Sequence, residues 1–408
     1  MSDWLKHKGL HISIFNLTIV AFLGVLMRYK IGFEFPFFDQ KNIQHAHSHF
    51  AFTGWITHTL FVLMLLFLNE QKPILLLNKY KPILVGNLIC AYGMLISFFI
   101  QGYGIISIFF STLSILITYL YAFYFIKDLK QIDPNPVKLW FQAAFLFYLF
   151  SSLGTFSLAY MMITKNLPQN FYLASVYYYL HFQYNGFFFF SFMGLFMGQW
   201  YRMVPRIKKD KQIFWWFAIA CVPTYFLSIL WMNLPLWLYL IVIIGSFMQF
   251  VGWGLLLNAV RQHIDVLKAN IKPIWQKFFF LLALAISIKL LLQLGSTIPS
   301  ISKLAFGFRP IVIAYLHLVL LAIISFFLIV YMFCFNILTT FKYTIGAISL
   351  FVFGIFFNEI ILLIQGIGAF TYTLIPYANE TLFIAAIIMF ISITLLLILQ
   401  CRKVNDYD

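Results

Sequence analysis

Four of the nine histidines fall within fourteen residues, at positions 45, 47, 49 and 58. They stand in the stretch Gln44-His45-Ala46-His47-Ser48-His49-Phe50-Ala51-Phe52-Thr53-Gly54-Trp55-Ile56-Thr57-His58, which opens an apolar run continuing to Leu68. Imidazole is costly in hydrocarbon unless it has a partner, so histidines in such a run mark a candidate site for metal or cofactor chemistry. At about 100° per residue, His45 and His49 share one face of a helix. His47 and His58 share another, together with Ala51 and Gly54. Small residues beneath a histidine leave room for a flat cofactor. The stretch reads as the start of a metal-binding transmembrane helix.

Composition sets the environment of that helix. Hydrophobic residues make up 63% of the chain and charged residues 10%, which places it among all-α, polytopic membrane proteins. A net charge of +15 would suit nucleic acid, but the cations mark the ends of apolar runs. The expected partner is a lipid bilayer and not nucleic acid. Cys90, Cys221, Cys334 and Cys401 stand singly in or beside apolar segments, so they indicate neither a disulfide framework nor a zinc knuckle. No small-residue cleavage site follows the first apolar run closely, and that run reads as an uncleaved first helix.

Apolar runs long enough to cross about 30 Å of hydrocarbon lie near 10–29, 45–68, 82–101, 103–127, 138–163, 171–200, 213–232, 236–258, 274–295, 308–335, 343–366 and 381–401. That predicts twelve transmembrane helices in one domain, residues 1–408. Two breaks rest on short signals, Gln101-Gly102-Tyr103-Gly104 and Pro235. Taking the N-terminus and every second connection as one side puts 20 Lys and Arg there and 6 on the other, with Lys289 inside a span. By the positive-inside rule both termini are cytoplasmic, and the location is a bacterial-type inner (plasma) membrane. The basic connection from Arg202 to Gln212 suits contact with anionic headgroups.

Orientation brings distant histidines to one level. Even-numbered helices enter from the outer side, and three carry histidine in their outer halves: His47 and His49 on the second, His181 on the sixth, His317 on the tenth. A lone membrane histidine is most often a hydrogen-bonded structural residue; several at one depth favour a site. His7, His11 and His263 receive no role. The sixth helix reads Tyr177-Tyr178-Tyr179-Leu180-His181-Phe182-Gln183-Tyr184-Asn185-Gly186. There Tyr184 and Asn185 share a face with His181 and can fix its tautomer or hold a water. The tenth reads Arg309-Pro310-Ile311-Val312-Ile313-Ala314-Tyr315-Leu316-His317, with Arg309 about two turns outward of His317. Arg309 is either an interfacial anchor or the partner of an acidic group near the outer surface.

Twelve helices with both ends inside, and histidines on helices two, six and ten, resemble the catalytic subunit of the haem-copper oxidase and nitric oxide reductase superfamily. The resemblance implies a cytochrome oxidase subunit I-like bundle with haem b held between axial imidazoles, His47 or His49 on one side and His317 on the other. It places Tyr315 where the family has a second helix-ten histidine, and Arg309 near a haem propionate. It also suggests His181, with Tyr184 three residues on, as ligand of copper or another second metal. His45 is a further metal-ligand candidate that can orient His49. The chain departs from the family on helix seven, Ile213 to Met232, which lacks the histidine pair. It departs again between Gly366 and Thr381, where no basic residue stands. The expectation is therefore a divergent member, an oxidoreductase-like protein of electron transfer or of diatomic-gas handling without a complete oxygen-reducing binuclear site. Electron-donor or accessory membrane subunits would be its partners. It is similar in helix number to the haem- and copper-containing membrane proteins linked to nitric oxide tolerance.

Lys289 and Glu359 are the acid and base placed well inside apolar runs, on helices nine and eleven at matching depth. An ion pair would offset the desolvation of each, and Gln293, Asn358 and Gln365 extend a polar track. They serve either as a proton or ion path or as a helix-locking pair. Two other classes of function remain open. One is a zinc or copper permease, or a proton-coupled transporter, with His45, His47, His49 and His58 as the path. The other is a structural subunit with hydrogen-bonded histidines. The aromatic load of 21% is mostly packing and interfacial. A reporter fused to the C-terminus is expected to be active in the cytoplasm; activity confined to the outside would overturn the assigned orientation.

Overall fold

A computed structural model describes residues 4–33, 35–71, 77–132, 136–204 and 209–401. Lys72, Arg206, Lys208, Arg402 and Lys403 of the charge count lie outside these residues, as does the side chain of Lys303. Without water, hydrocarbon forces backbone groups to bond within their own segment. The apolar runs accordingly fold as helices, and no strand occurs among the described residues. They are α1 (Leu5–Gly32), α2 (Gln40–Gln71), α3 (Asn78–Gln101), α4 (Ile105–Leu129) and α5 (Val137–Thr164). Next come α6 (169–203) and α7, formed by Asp210–Cys221 and Pro223–Ile229. The last are α8 (Leu236–Gln262), α9 (Pro273–Gly295), α10 (Arg309–Cys334), α11 (Thr344–Phe370) and α12 (Ala378–Cys401). Short helices Ile264–Asn270 and Pro299–Gly307 flank α9.

Among the described residues ten helices are long and apolar enough to cross a membrane, or eleven if the halves of α7, bent by 41°, count as one span. Proline explains the bend, since Pro223 lacks the N–H that would continue the helix. The remaining candidate of the sequence, α6, is helical throughout but is not among the ten. Its first half carries Gln169, Asn170, three consecutive tyrosines and His181, which dilutes its hydropathy. The turn expected at Gln101–Gly104 is present: Gly102 adopts φ +63°, and a Cβ there would lie 2.5 Å from Asn42 Oδ1. Glycine is the residue that tolerates both.

The chain divides into two compact units. The first, Met1–Asp133 with Tyr331–Asp408, contains α1–α4, α11 and α12. In it α12 packs against α1 and α11, and α3 against α4 and the start of α2. The α3–α4 hairpin is pinned at the end opposite its glycine turn. Lys79 Nζ meets both Asp128 oxygens at 2.9 and 2.7 Å, and Tyr80 donates to Asp128 Oδ2 at 2.6 Å. This is the only ion pair among the described residues. The second unit, Pro134–Val330, contains α5–α9 and most of α10, with α5 packed on α6, α7 on α8 and α8 on α9.

Four helices are loosened by π turns: α1 at Leu5–Gly9, α2 at Ala51–Thr57, α6 at Phe182–Phe188 and α10 at Leu318–Ser325. The last three begin within two residues of His49, His181 and His317. A π turn disturbs the regular carbonyl ladder and is common at functional sites. In each, a side chain takes up a carbonyl. In α2, Asn16 of α1 donates to Gly54 O at 2.6 Å and Asn87 of α3 to Thr53 O at 3.2 Å. In α6, the Cys221 thiol lies 3.7 Å from Asn185 O; in α10, Ser325 donates to Leu320 O at 2.8 Å. Tyr92 in turn donates to Asn16 Oδ1 at 2.6 Å. Asn16→Leu leaves the Gly54 carbonyl and the Tyr92 hydroxyl without these partners. It is expected to lower unfolding stability in detergent by about 1–3 kcal/mol, with Tyr92→Phe costing less.

Candidate functional site

The histidines of α2 divide between two neighbours. His45 and His49 share a face, as their spacing requires, and that face meets α3 and its turn. The His49 ring stacks on Phe98 at 4.2 Å, with its Nε2 3.3 Å from the Tyr103 hydroxyl, and His45 meets Tyr103 edge-on at 4.6 Å. His47 and His58 face α1 instead. His47 Nδ1 donates to Val20 O at 3.1 Å, which leaves the lone pair on Nε2. Beside it Gly24 presents no side chain, and a Cβ there would come within 3.7 Å of the imidazole Cε1. His58 is 1% exposed, and its backbone partner is Gly9 of α1.

The small face expected under His47 is only partly open. At Gly54 a Cβ would lie 2.7 Å from the Phe50 ring, so that ring fills the space. At Gly24, on the facing helix, a Cβ would make an ordinary contact with the His47 ring. Nor do the four histidines form a chelate: among the described residues no three of His, Cys, Asp and Glu converge as a metal site would need.

In the second unit His181 has both nitrogens engaged. Its Nε2 donates to Cys221 O of α7 at 2.8 Å, and its Nδ1 accepts from Asn185 Nδ2 at 3.2 Å. Asn185, expected to fix the tautomer, is the partner of Nδ1, and as placed the ring has both nitrogens in hydrogen bonds. It ties α6 to α7. Tyr184 makes no bond to it; Ser228 is the hydrogen-bond partner of Tyr184, and Tyr315 is an electrostatic neighbour. His317 Nδ1 lies 3.0 Å from Ile313 O, which again puts the lone pair on Nε2. That i−4 bond is ordinary in helices, and His263 makes the same one to Ala259 O. The bond of His47 crosses to another helix, so tertiary packing sets its ring. Arg309 is exposed in the first turn of α10.

Lys289 and Glu359 fall in different units. Glu359 accepts from Asn358 at 3.1 Å, and Arg28 is the cation nearest in effect to both Glu359 and His47. Lys289, 7% exposed, lines a small cavity with Asn185, Tyr184 and Gln249.

Sequence reasoning passed over Asn16, Asn87, Cys221 and Gln249. Each is a single polar side chain inside an apolar run, and that was the available signal. Searches of protein-family models and of curated proteins return no match to this chain.

His181→Leu deprives the Asn185 amide and the Cys221 carbonyl of a partner. It is expected to cost about 1–3 kcal/mol of stability and to leave the metal content of the purified protein unchanged. Loss of a bound metal on this substitution would favour the ligand role.

Proposed function

We propose that this chain is a haem-binding, twelve-span membrane protein of the oxidase-like fold, acting in electron transfer or in handling a diatomic gas. The observation that carries the reading is the state of His47. It is a histidine in an apolar helix, four residues before a π turn, aimed by a carbonyl of a neighbouring helix and faced by a glycine. A ligating histidine characteristically donates its other ring N–H to a carbonyl or carboxylate, which fixes the ring and raises its basicity. The resemblance implies His317 as the second axial imidazole; it belongs to the other compact unit, where Ile313 O puts its own lone pair on Nε2.

The tautomer of His47 supports this reading. An axial site asks for one imidazole nitrogen from each side of the iron, whereas zinc or copper held by protein alone asks for three or four convergent ligands. Single imidazoles with fixed tautomers match the first demand. Between His47 and His49, the geometry favours His47, because His49 spends its edge on Tyr103 and its face on Phe98. His45 then belongs to the same aromatic contact and not to a metal. Bound haem would supply one-electron chemistry, with burial tuning its potential. The chain's own part is to fix the rings and exclude water, and the apolar walls of α2 serve both. A second metal such as copper belongs to this reading only as an addition, since His181 is committed to Cys221 and Asn185.

Purified protein in mild detergent is expected to give a reduced-minus-oxidised haem b spectrum. His47→Ala and His317→Ala should each abolish it or convert it to a five-coordinate form, while His49→Ala and His45→Ala should retain it. Zinc or copper in stoichiometric amount without haem would replace this reading with the transporter one.

A further inference from the structure

A cavity of about 20 Å³ in the second unit lies among Asn185 of α6, Gln249 of α8, Lys289 of α9 and apolar side chains that include Phe192 and Ile323. That is room for one water.

The hydrogen bonds around it determine which polar atoms are left over. The Cys221 carbonyl can only accept, so His181 Nε2 carries the proton and Nδ1 the lone pair. Asn185 must therefore turn its NH₂ to Nδ1, and its Oδ1 is left with no protein partner. The same logic runs through Thr224. Its hydroxyl donates to Ala220 O at 2.8 Å, so it accepts from Gln249 Nε2 at 3.1 Å. Gln249 Oε1 is then also buried without a partner. Two acceptors are thus fixed in place around a space lined by a lysine that shares no ion pair among the described residues.

The titratable groups near Lys289 are few. From α7 the Cys221 thiol is its electrostatic neighbour, from α6 His181 and Tyr184 stand close, and the α8 and α10 side chains at the cavity are Gln249, Val319, Ile323 and Ile324. Gln293, one turn along α9, keeps a further unpaired oxygen. Water matches the vacancy by count: it has two hydrogens for the two oxygens and a lone pair for an N–H of Lys289. A chloride would be repelled by both oxygens. A diatomic gas would leave both unsatisfied, at about 1–3 kcal/mol each.

We propose that this cavity is a proton-holding site. One enclosed water donates to Asn185 Oδ1 and Gln249 Oε1, accepts from Lys289 Nζ, and exchanges a proton with that nitrogen. In the forward step an N–H bond of the ammonium breaks and an O–H bond forms, leaving a neutral amine and a hydronium held by the two oxygens; the reverse step restores both. The ligand is a proton carried on water. The site stands on unit-two residues alone and does not depend on haem binding.

The test is magnetic resonance of the full-length protein labelled with ¹⁵N at lysine Nζ, in lipid bilayers. Lys289→Met assigns the resonance by its loss. The expected result is a cross-peak between Lys289 Nζ and a water distinct from bulk, with Nζ passing between amine and ammonium shifts between about pH 5 and about pH 10. Gln249→Met keeps the volume and removes one acceptor, and the water cross-peak should be lost. A Lys289 resonance with no water contact, or one chemical form across that range, overturns the proposal. So does a water cross-peak undiminished in Gln249→Met. Should that variant fail to fold, the wild-type spectrum alone decides.

Discussion

A backbone carbonyl released from its helix inside hydrocarbon has no water to bond, and leaving it bare costs several kcal/mol. In this chain the carbonyl ladder is disturbed close to the histidines, in the π turns of α2, α6 and α10. The cost is offset by side chains that otherwise look misplaced. Asn16, Asn87, Cys221 and Ser325 lie in apolar helices, where they meet the carbonyls of Gly54, Thr53, Asn185 and Leu320. The asparagines reach across helices, so the π turn of α2 is held from both sides by α1 and α3. A loosened helix becomes a fixed one. The imidazoles beside it inherit that fixity, which is what a ligand needs before it meets a metal.

The same bonds settle tautomers. A carbonyl cannot donate, so every imidazole nitrogen that faces one carries a proton, and the remaining nitrogen carries the lone pair. His47 emerges with its lone pair on Nε2, because Val20 O claims its other nitrogen. His181 emerges with none free, because Asn185 takes the lone pair that Cys221 leaves. Two histidines alike in sequence context, each in the early part of an apolar helix, thus differ in chemistry through one neighbour. The difference propagates. The committed amide of Asn185 leaves an oxygen unpartnered at a small cavity, and a parallel chain through Thr224 does the same for Gln249.

Much of this was legible from residue types. Runs of apolar residues gave the helices with ends displaced by a few residues, since hydropathy reports the hydrocarbon span while capping and the last turns extend beyond it. Asp39 starts α2 ahead of the run's apolar part by accepting from Asn42 N at 3.0 Å. The α3–α4 turn was readable because Gly102 is needed at positive φ. The facing of His45 and His49 followed from a spacing of four. What could not be read was the π geometry, which is an outcome of packing: Phe50 lies back over Gly54, where α-helical patterning expects an open face. The pairing of His181 with Cys221 was equally hidden, since forty residues separate them and no local signal joins them.

The charge pattern inside the spans adds a last step. A lysine and a carboxylate inside apolar runs invite the simplest electrostatic answer, a salt bridge. The surroundings of each residue show another answer available to a membrane protein. Glu359 takes a hydrogen bond from its own neighbour Asn358 and lies within the influence of Arg28. Lys289 lines a mostly apolar cavity with two amides, Asn185 and Gln249, whose nitrogens are taken by histidine and threonine. Neutral acceptors do not lock a charge as a carboxylate does, and an ion pair in low dielectric is costly to break. A lysine that is to gain and lose a proton is better served by amides and a water than by a counter-ion. The only ion pair among the described residues, Lys79–Asp128, stands at the end of a helix hairpin, where locking is the task. Placement of ion pair and amides therefore separates what holds the fold from what can change state.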